Sequence, residues 1–114
     1  MHPGNPDPNL LRGHLDLILL SLIRGQAKYS LEISKLAAEQ TGGYFDLKVG
    51  SLYPALHRLE KQGFLQGEFQ VLPRGGSPVK VYTLTPSGQE ELRAQRERYG
   101  RFARAVRGVI GGEA

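Results

Sequence analysis

The chain has 114 residues, 39% hydrophobic and 23% charged, a balance that fits one globular domain and leaves no room for a second independent core. Its net charge of +4 favours a polyanionic partner such as nucleic acid without requiring one. With no cysteine, disulfide staples and thiolate metal sites are excluded, and a reducing compartment is compatible.

Residues 1–8 are polar and proline-rich, lack the basic and apolar regions of a signal peptide, and are expected to form a disordered arm. The longest apolar stretch, Leu15 to Ile23, is broken by Asp16 and Ser21 and is too short to span a bilayer. A soluble, cytoplasmic chain is therefore expected.

From Asn9 to Arg24, Leu11, Leu15, Ile18, Leu19, Leu22 and Ile23 recur at helical spacing, with Asn9 placed to cap the helix. Leu10, Leu17 and Leu20 fall outside that stripe, so this helix needs cover on more than one side. A second helix is predicted from Ser30 to Gln40, capped by Ser30 and burying Leu31, Ile33, Leu36 and Ala37. A third runs from Lys48 to Gln62 with Val49, Leu52, Leu56 and Leu59 inward, and Gly63 stands where a terminating glycine belongs. Pro54 implies that its regular part begins near Gly50 or that its first turn is distorted.

The period then changes to two. Phe64–Leu72 and Val79–Leu84 read as strands of a hairpin, joined through Arg74, Gly75 and Gly76. Thr85 and Pro86 open a long last helix, in which Leu92, Tyr99 and Val106 repeat every seven residues and Phe102 and Val109 complete a narrow seam. The predicted fold is mainly α with a small β-hairpin. It is divided into a winged helix-turn-helix over residues 9–84 and a dimerisation helix over residues 85–110.

The third helix carries the functional signal. Lys48, Ser51, Tyr53, Pro54, His57, Arg58 and Lys61 lie on or near its outward face, with Glu60 the single acid of the stretch. A helix so furnished suits the major groove of a duplex, where donors and acceptors read base edges and cations meet phosphates. Arg58 has the fork for a bidentate contact to guanine or a grip on phosphate; Lys48 and Lys61, nearer the ends, suit phosphates. At the hairpin tip Arg74 and Lys80 flank small residues that allow close approach to DNA, and Lys80 is expected to lie beyond the core toward that tip. The arginines of the last helix, interleaved with Glu90, Glu91 and Glu97, are read as a solvated outer face paired with those acids.

Catalytic and metal chemistry find little support. His14 and Asp16 are two residues apart and point away from one another, while His57 and Glu60 are expected to form a surface ion pair. No phosphate-cradling, nucleophile-elbow or zinc-protease motif occurs. No enzyme activity, metal or cofactor is expected. The alternative to a DNA-binding regulator is a winged helix that serves protein interaction alone.

Three segments carry a resemblance: Arg12-Gly13-His14-Leu15-Asp16 with Ile18-Leu19, the block from Val49 through Gly50-Ser51-Leu52-Tyr53-Pro54-Ala55-Leu56 to Gly63, and Val81-Tyr82-Thr83-Leu84-Thr85-Pro86-Ser87-Gly88. Together, over about Leu11 to Tyr99, the chain resembles the PadR family of bacterial transcriptional regulators. The resemblance implies a homodimeric winged helix that binds pseudo-palindromic operator DNA, usually as a repressor. It implies that Ser51, Tyr53, Pro54, His57, Arg58 and Lys61 lie on the recognition helix, Tyr29 at the entrance to the second helix, and Arg74, Gly75 and Lys80 on the wing. The single C-terminal helix is similar to that of a compact subgroup whose first and last helices form the dimer interface. That role would fall here to Leu11, Leu15, Leu92, Tyr99, Phe102 and Val106. Some members of the subgroup hold planar or hydrophobic compounds in a pore at that interface. Two departures stand out: Tyr29-Ser30-Leu31 replaces the frequent Tyr-Gly-Tyr, and Tyr99 stands where the subgroup often has tryptophan.

Overall fold

The computed structural model describes residues 7–111. Helix α1 (Pro8–Ile23) leads through strand β1 (Lys28–Tyr29) into helices α2 (Ser30–Gln40) and α3 (Val49–Lys61). Strands β2 (Leu65–Gln70) and β3 (Val79–Leu84) follow, and then helix α4 (Pro86–Ile110). The strands form one antiparallel sheet in the order β1-β3-β2. This is the expected mainly helical fold with a small hairpin, to which β1 adds a third strand by pairing Lys28 with Tyr82 and Tyr29 with Val81. No helix among the described residues is long and apolar enough to cross a membrane.

The core gathers side chains from each of the first three helices. Leu19, Leu20 and Ile23 of α1, Ile33 and Ala37 of α2, and Leu52, Leu56 and Leu59 of α3 are buried together, and Leu65, Tyr82 and Leu92 close the side toward the sheet and α4. Leu20, off the main stripe of α1, is fully enclosed, in keeping with the expectation that this helix needs cover on more than one side. Leu31, expected on the buried face of α2, is exposed instead, because α2 turns only Ile33, Leu36 and Ala37 toward its neighbours.

Helix starts follow local chemistry with some shifts of position. Asp7, not Asn9, caps α1, its carboxylate accepting from the Asn9 N–H at 2.8 Å, with Pro8 in the first helical position. Of the expected arm, residues 1–6 lie outside the described residues, while Asp7 and Pro8 belong to the helix start. Ser30 is a buried helical residue rather than a cap; Tyr29 holds the cap position and donates its N–H to the Glu32 carboxylate at 3.0 Å. Helix α3 runs from Val49 through Pro54. Both the Ser51 and Leu52 N–H groups bond to the Lys48 carbonyl, so the first turn is tightened.

A compact corner joins α3 to α4. The Thr85 hydroxyl donates to the Gly63 carbonyl at 2.6 Å and accepts from the Gly88 N–H at 2.9 Å, while the Thr85 N–H reaches the Phe64 carbonyl. Gly88 packs so closely on Phe64 that a Cβ there would lie 2.0 Å from its carbonyl oxygen. Beyond this corner α4 leaves the core. Leu92 is buried, whereas Tyr99, Phe102 and Val106 are 47%, 60% and 39% exposed. Near the other end of α1, Leu11 and Leu15 are only half buried.

Candidate nucleic-acid interface

The inward residues of α3 fix what the helix can show to solvent. With Leu52, Ala55, Leu56 and Leu59 inward, the helical turn puts Gly50, Pro54, His57 and Lys61 in the middle of the outer face. Tyr53 and Glu60 lie on the flank toward the wing, Ser51 and Arg58 on the flank toward α1. Ser51, Tyr53, Pro54, His57 and Lys61 are all exposed, and no carboxylate among the described residues lies within ion-pair distance of Lys61. Lys48 caps the helix and meets Asp46 at 3.0 Å; both side chains are well exposed, so that pair opens easily to a competing phosphate.

Two of the expected cations are not presented as expected. Arg58 turns toward α1, where its guanidinium forks onto both carboxylate oxygens of Asp16, at 2.9 and 2.7 Å. That hydrogen bonding raises the Arg58 pKa above its ordinary value. Lys80 does not extend to the wing tip; it folds back to Glu60 of α3 at 2.8 Å, and the same hydrogen bond raises its pKa. Gly67, paired with Tyr82 on the adjacent strand, makes that path possible, because a Cβ on it would lie 2.6 Å from Lys80 Cε. Glu60 is therefore engaged by Lys80 rather than by His57. Of the wing cations, Arg74 remains exposed at the tip, where the turn is set by left-handed Gly75 and Gly76 and by the Gly75 N–H donating to the Leu72 carbonyl at 2.8 Å.

Between α3 and the wing lies a concavity of about 590 Å³ lined by Tyr29, Tyr53, Pro54, His57, Phe69 and Lys80, among others. Lys80 Nζ stands 5.8 Å from the Phe69 ring centroid and 5.7 Å from that of Tyr82. The structure thus brings Tyr29, on β1, to the same surface as Tyr53 and His57. Phe69, 70% exposed, was not among the candidates read from the sequence. It shares the strand face of buried Leu65, but lies four residues farther along β2, past the end of the core and on the wing.

On the opposite side, the outer halves of α1 and α4 leave an apolar groove of about 560 Å³, lined by Leu10, Leu11, His14, Tyr99, Phe102 and Val106 with further apolar side chains. The His14 Nδ1–H donates to the Leu10 carbonyl at 2.7 Å, and the ring meets Tyr99 edge to face at 5.3 Å. Tyr44 and Phe45, which follow the Gly42–Gly43 turn, also line the groove; sequence periodicity could not place a loop pair there. Of the expected interface residues, Tyr99, Phe102 and Val106 are the exposed ones, Leu11 and Leu15 are partly covered, and Leu92 belongs to the core of the same chain. On the remaining face of α4, Arg93, Arg98 and Arg101 pair with Glu90, Glu91 and Glu97.

Comparisons with known proteins agree with this layout. A family model described as transcriptional regulator PadR-like family matches residues 19–94. A transcriptional regulator of Mycobacterium tuberculosis is 32% identical over 80% of this chain and 83% of its own length. The negative transcriptional regulator PadR of Bacillus subtilis is 32% identical over 68% of this chain and 42% of its own. Among solved structures, a transcriptional regulator from Clostridium thermocellum superposes with a TM-score of 0.80 at 26% identity, covering 90% of this chain and 96% of that one. Bacillus subtilis PadR in complex with operator DNA superposes with a TM-score of 0.64 at 28% identity, covering 71% of this chain and 45% of that one.

Proposed function

The chain belongs to the transcriptional regulator PadR-like family, and from that premise we propose that it is a cytoplasmic homodimeric repressor of pseudo-palindromic operator DNA. The observation that carries this reading is the outer face of α3. It is an exposed helical surface, rich in donors, beside a wing whose tip carries Arg74. His57, Tyr53, Ser51 and Pro54 are the side chains offered to base edges, and Lys61, Lys48 and Arg74 those offered to phosphates. Tyr29, Gly75 and Lys80 border the surface. That the relative from Bacillus subtilis has been captured on operator DNA supports the same use of the shared domain.

The homodimer rests on the groove between α1 and α4. Exposed Leu10, Tyr99, Phe102, Val106, Val109 and Ile110 form an apolar strip along one side of the molecule, of the kind that is covered in an assembly. A two-fold pairing of these helices, seating Leu11, Leu15, Tyr99, Phe102 and Val106, would carry two copies of α3 to successive major grooves, about 34 Å apart for half-sites one turn apart.

Fluorescence-anisotropy titration of duplexes selected from a random pool tests the reading. Wild type should bind more weakly as salt rises, and Lys61→Ala combined with Arg74→Ala should lower the salt slope by about 0.9 for each phosphate no longer neutralised. Affinity and slope left unchanged by both substitutions would remove this face from the interface.

The groove supports a second reading, a site for a planar hydrophobic effector between the subunits. Tyr99 offers a ring for stacking, and an effector that prefers one dimer geometry shifts the spacing of the two α3 helices. Tyrosine fluorescence titrated with a panel of planar compounds checks it; a panel without saturable binding would leave the groove to dimerisation alone.

A further inference from the structure

Helix α3 is moored on both flanks by ion pairs of opposite polarity. On one side its Arg58 forks onto Asp16 of α1; on the other its Glu60 receives Lys80 of β3. Between them the buried leucines set how deep the helix sits and which face turns inward, but aliphatic packing is non-directional and leaves the fine angle of roll to directional contacts. A bidentate guanidinium-carboxylate pair is directional, since both N–H vectors and both oxygens must stay coplanar. Arg58 is adjacent to His57 and three residues before Lys61, so a roll that breaks the fork also re-aims the outer face. Asp16 in turn lies two residues from His14, whose ring rests on Tyr99 of α4. The side chains of Arg58 and Asp16 are 48% and 30% exposed, so the pair contributes little to overall stability. Its geometry serves another purpose.

We propose that the Asp16–Arg58 pair is a positioning contact that fixes the roll of α3 against α1, so that an acid lying away from the DNA-reading face is needed for DNA binding. Its consequence for DNA rests on the function proposed above; the mooring itself does not. Arg58 then acts through the orientation of His57 and Lys61 rather than by touching DNA, which reverses the role its sequence position implies. The sign of one substitution separates the two roles. Asp16→Asn removes a negative charge and liberates Arg58, so simple electrostatics predicts tighter binding to a polyanion. Loss of positioning predicts weaker binding.

The test is a salt-dependent duplex titration of wild type, Asp16→Asn, Arg58→Gln, the double substitution, and the exchanged pair Asp16→Arg with Arg58→Asp. Thermal melts confirm that each variant folds. The proposal expects Asp16→Asn to weaken binding by about tenfold or more, with the salt slope unchanged. The double substitution should be no worse than either single one, and the exchanged pair should recover part of the loss.

A second readout needs no DNA. Because the chain has no cysteine, nitroxides placed by Asn9→Cys on α1 and Lys61→Cys on α3, diluted with unlabelled chain, report the intrachain distance. That distribution should be narrow with the pair intact and broad after Asp16→Asn. Binding by Asp16→Asn that equals or exceeds wild type would overturn the proposal. So would an unchanged distance distribution, or a salt slope that falls by about 0.9 in Arg58→Gln, which would make Arg58 a phosphate ligand. Were wild type to bind no duplex, the proposed function would fall, and the distance distribution would decide the mooring by itself.

Discussion

The two ends of this molecule are built to different degrees of completion. At the end that carries α3 and the wing, α1, α2 and α3 enclose leucines with no exposed surface, and the Thr85 corner satisfies the turn into α4 through its own hydroxyl. At the other end the same α1 and α4 diverge from the core and leave Leu10, Phe102, Val109 and Ile110 exposed. Both ends use the same residue types. The difference lies in what covers them: one end is finished within the chain, and at the other the apolar side chains stay exposed, which is the surface the proposed dimer would cover.

The largest effect that sharpens this contrast is expected at Leu56, fully buried in α3. Leu56→Ala should cost about 2–5 kcal/mol in chemical denaturation, whereas Val109→Ala at the open end should stay within about 0.5 kcal/mol in the monomer. Equal losses at the two sites would erase the distinction between the ends. Gly88→Ala comes next. Its Cβ would collide with a backbone carbonyl that no rotamer change can move aside, and a loss of about 1–3 kcal/mol is expected. Wild-type stability there would mean that the corner yields. At the open end, Phe102→Glu should shift the chain toward monomer in sedimentation and remove the concentration dependence of its melting temperature, leaving the monomer's own fold intact.

The smallest expected effect is alkaline. Lys80 and Tyr82 both hold their protons more tightly in the fold, Lys80 through its hydrogen bond to Glu60 and Tyr82 chiefly through burial. A group whose folded pKa is raised contributes stability that is complete below its unfolded pKa and is lost as pH rises through the folded one. The wing end should therefore loosen above about pH 10, and Tyr82→Phe should reduce that alkaline loss in pH-dependent melts. An alkaline limb identical to wild type would show that Tyr82 ionisation does not contribute.

Much of this architecture was legible from periodicity: helical spacing located the four helices, and the change to alternation located the hairpin. Strand β1 was not, since two residues carry no period and Lys28–Tyr29 is a strand only because β3 lies beside it. Leu31 was misplaced because a helical wheel knows one face and not the number of neighbours around it. The candidate DNA surface was half legible. His57, Tyr53 and Lys61 follow from the phase of α3 alone, but Arg58 and Lys80 are drawn off by acids on other elements, Asp16 on α1 and Glu60 on α3. Such partners are brought near by tertiary packing, and no local pattern announces them. The apolar seam of α4 was visible as a heptad. Which of its members the chain covers itself, Leu92 and not Phe102, depended on where the helix leaves the core.

Hydroxyl-radical footprinting of a duplex selected from a random pool tests the central claim most directly. Two reading heads joined at their open ends predict two protected patches related by a dyad, with centres about 34 Å apart for half-sites one turn apart. Phe102→Glu should abolish the paired pattern. A single asymmetric patch, or a paired pattern that survives Phe102→Glu with the chain monomeric, would contradict it.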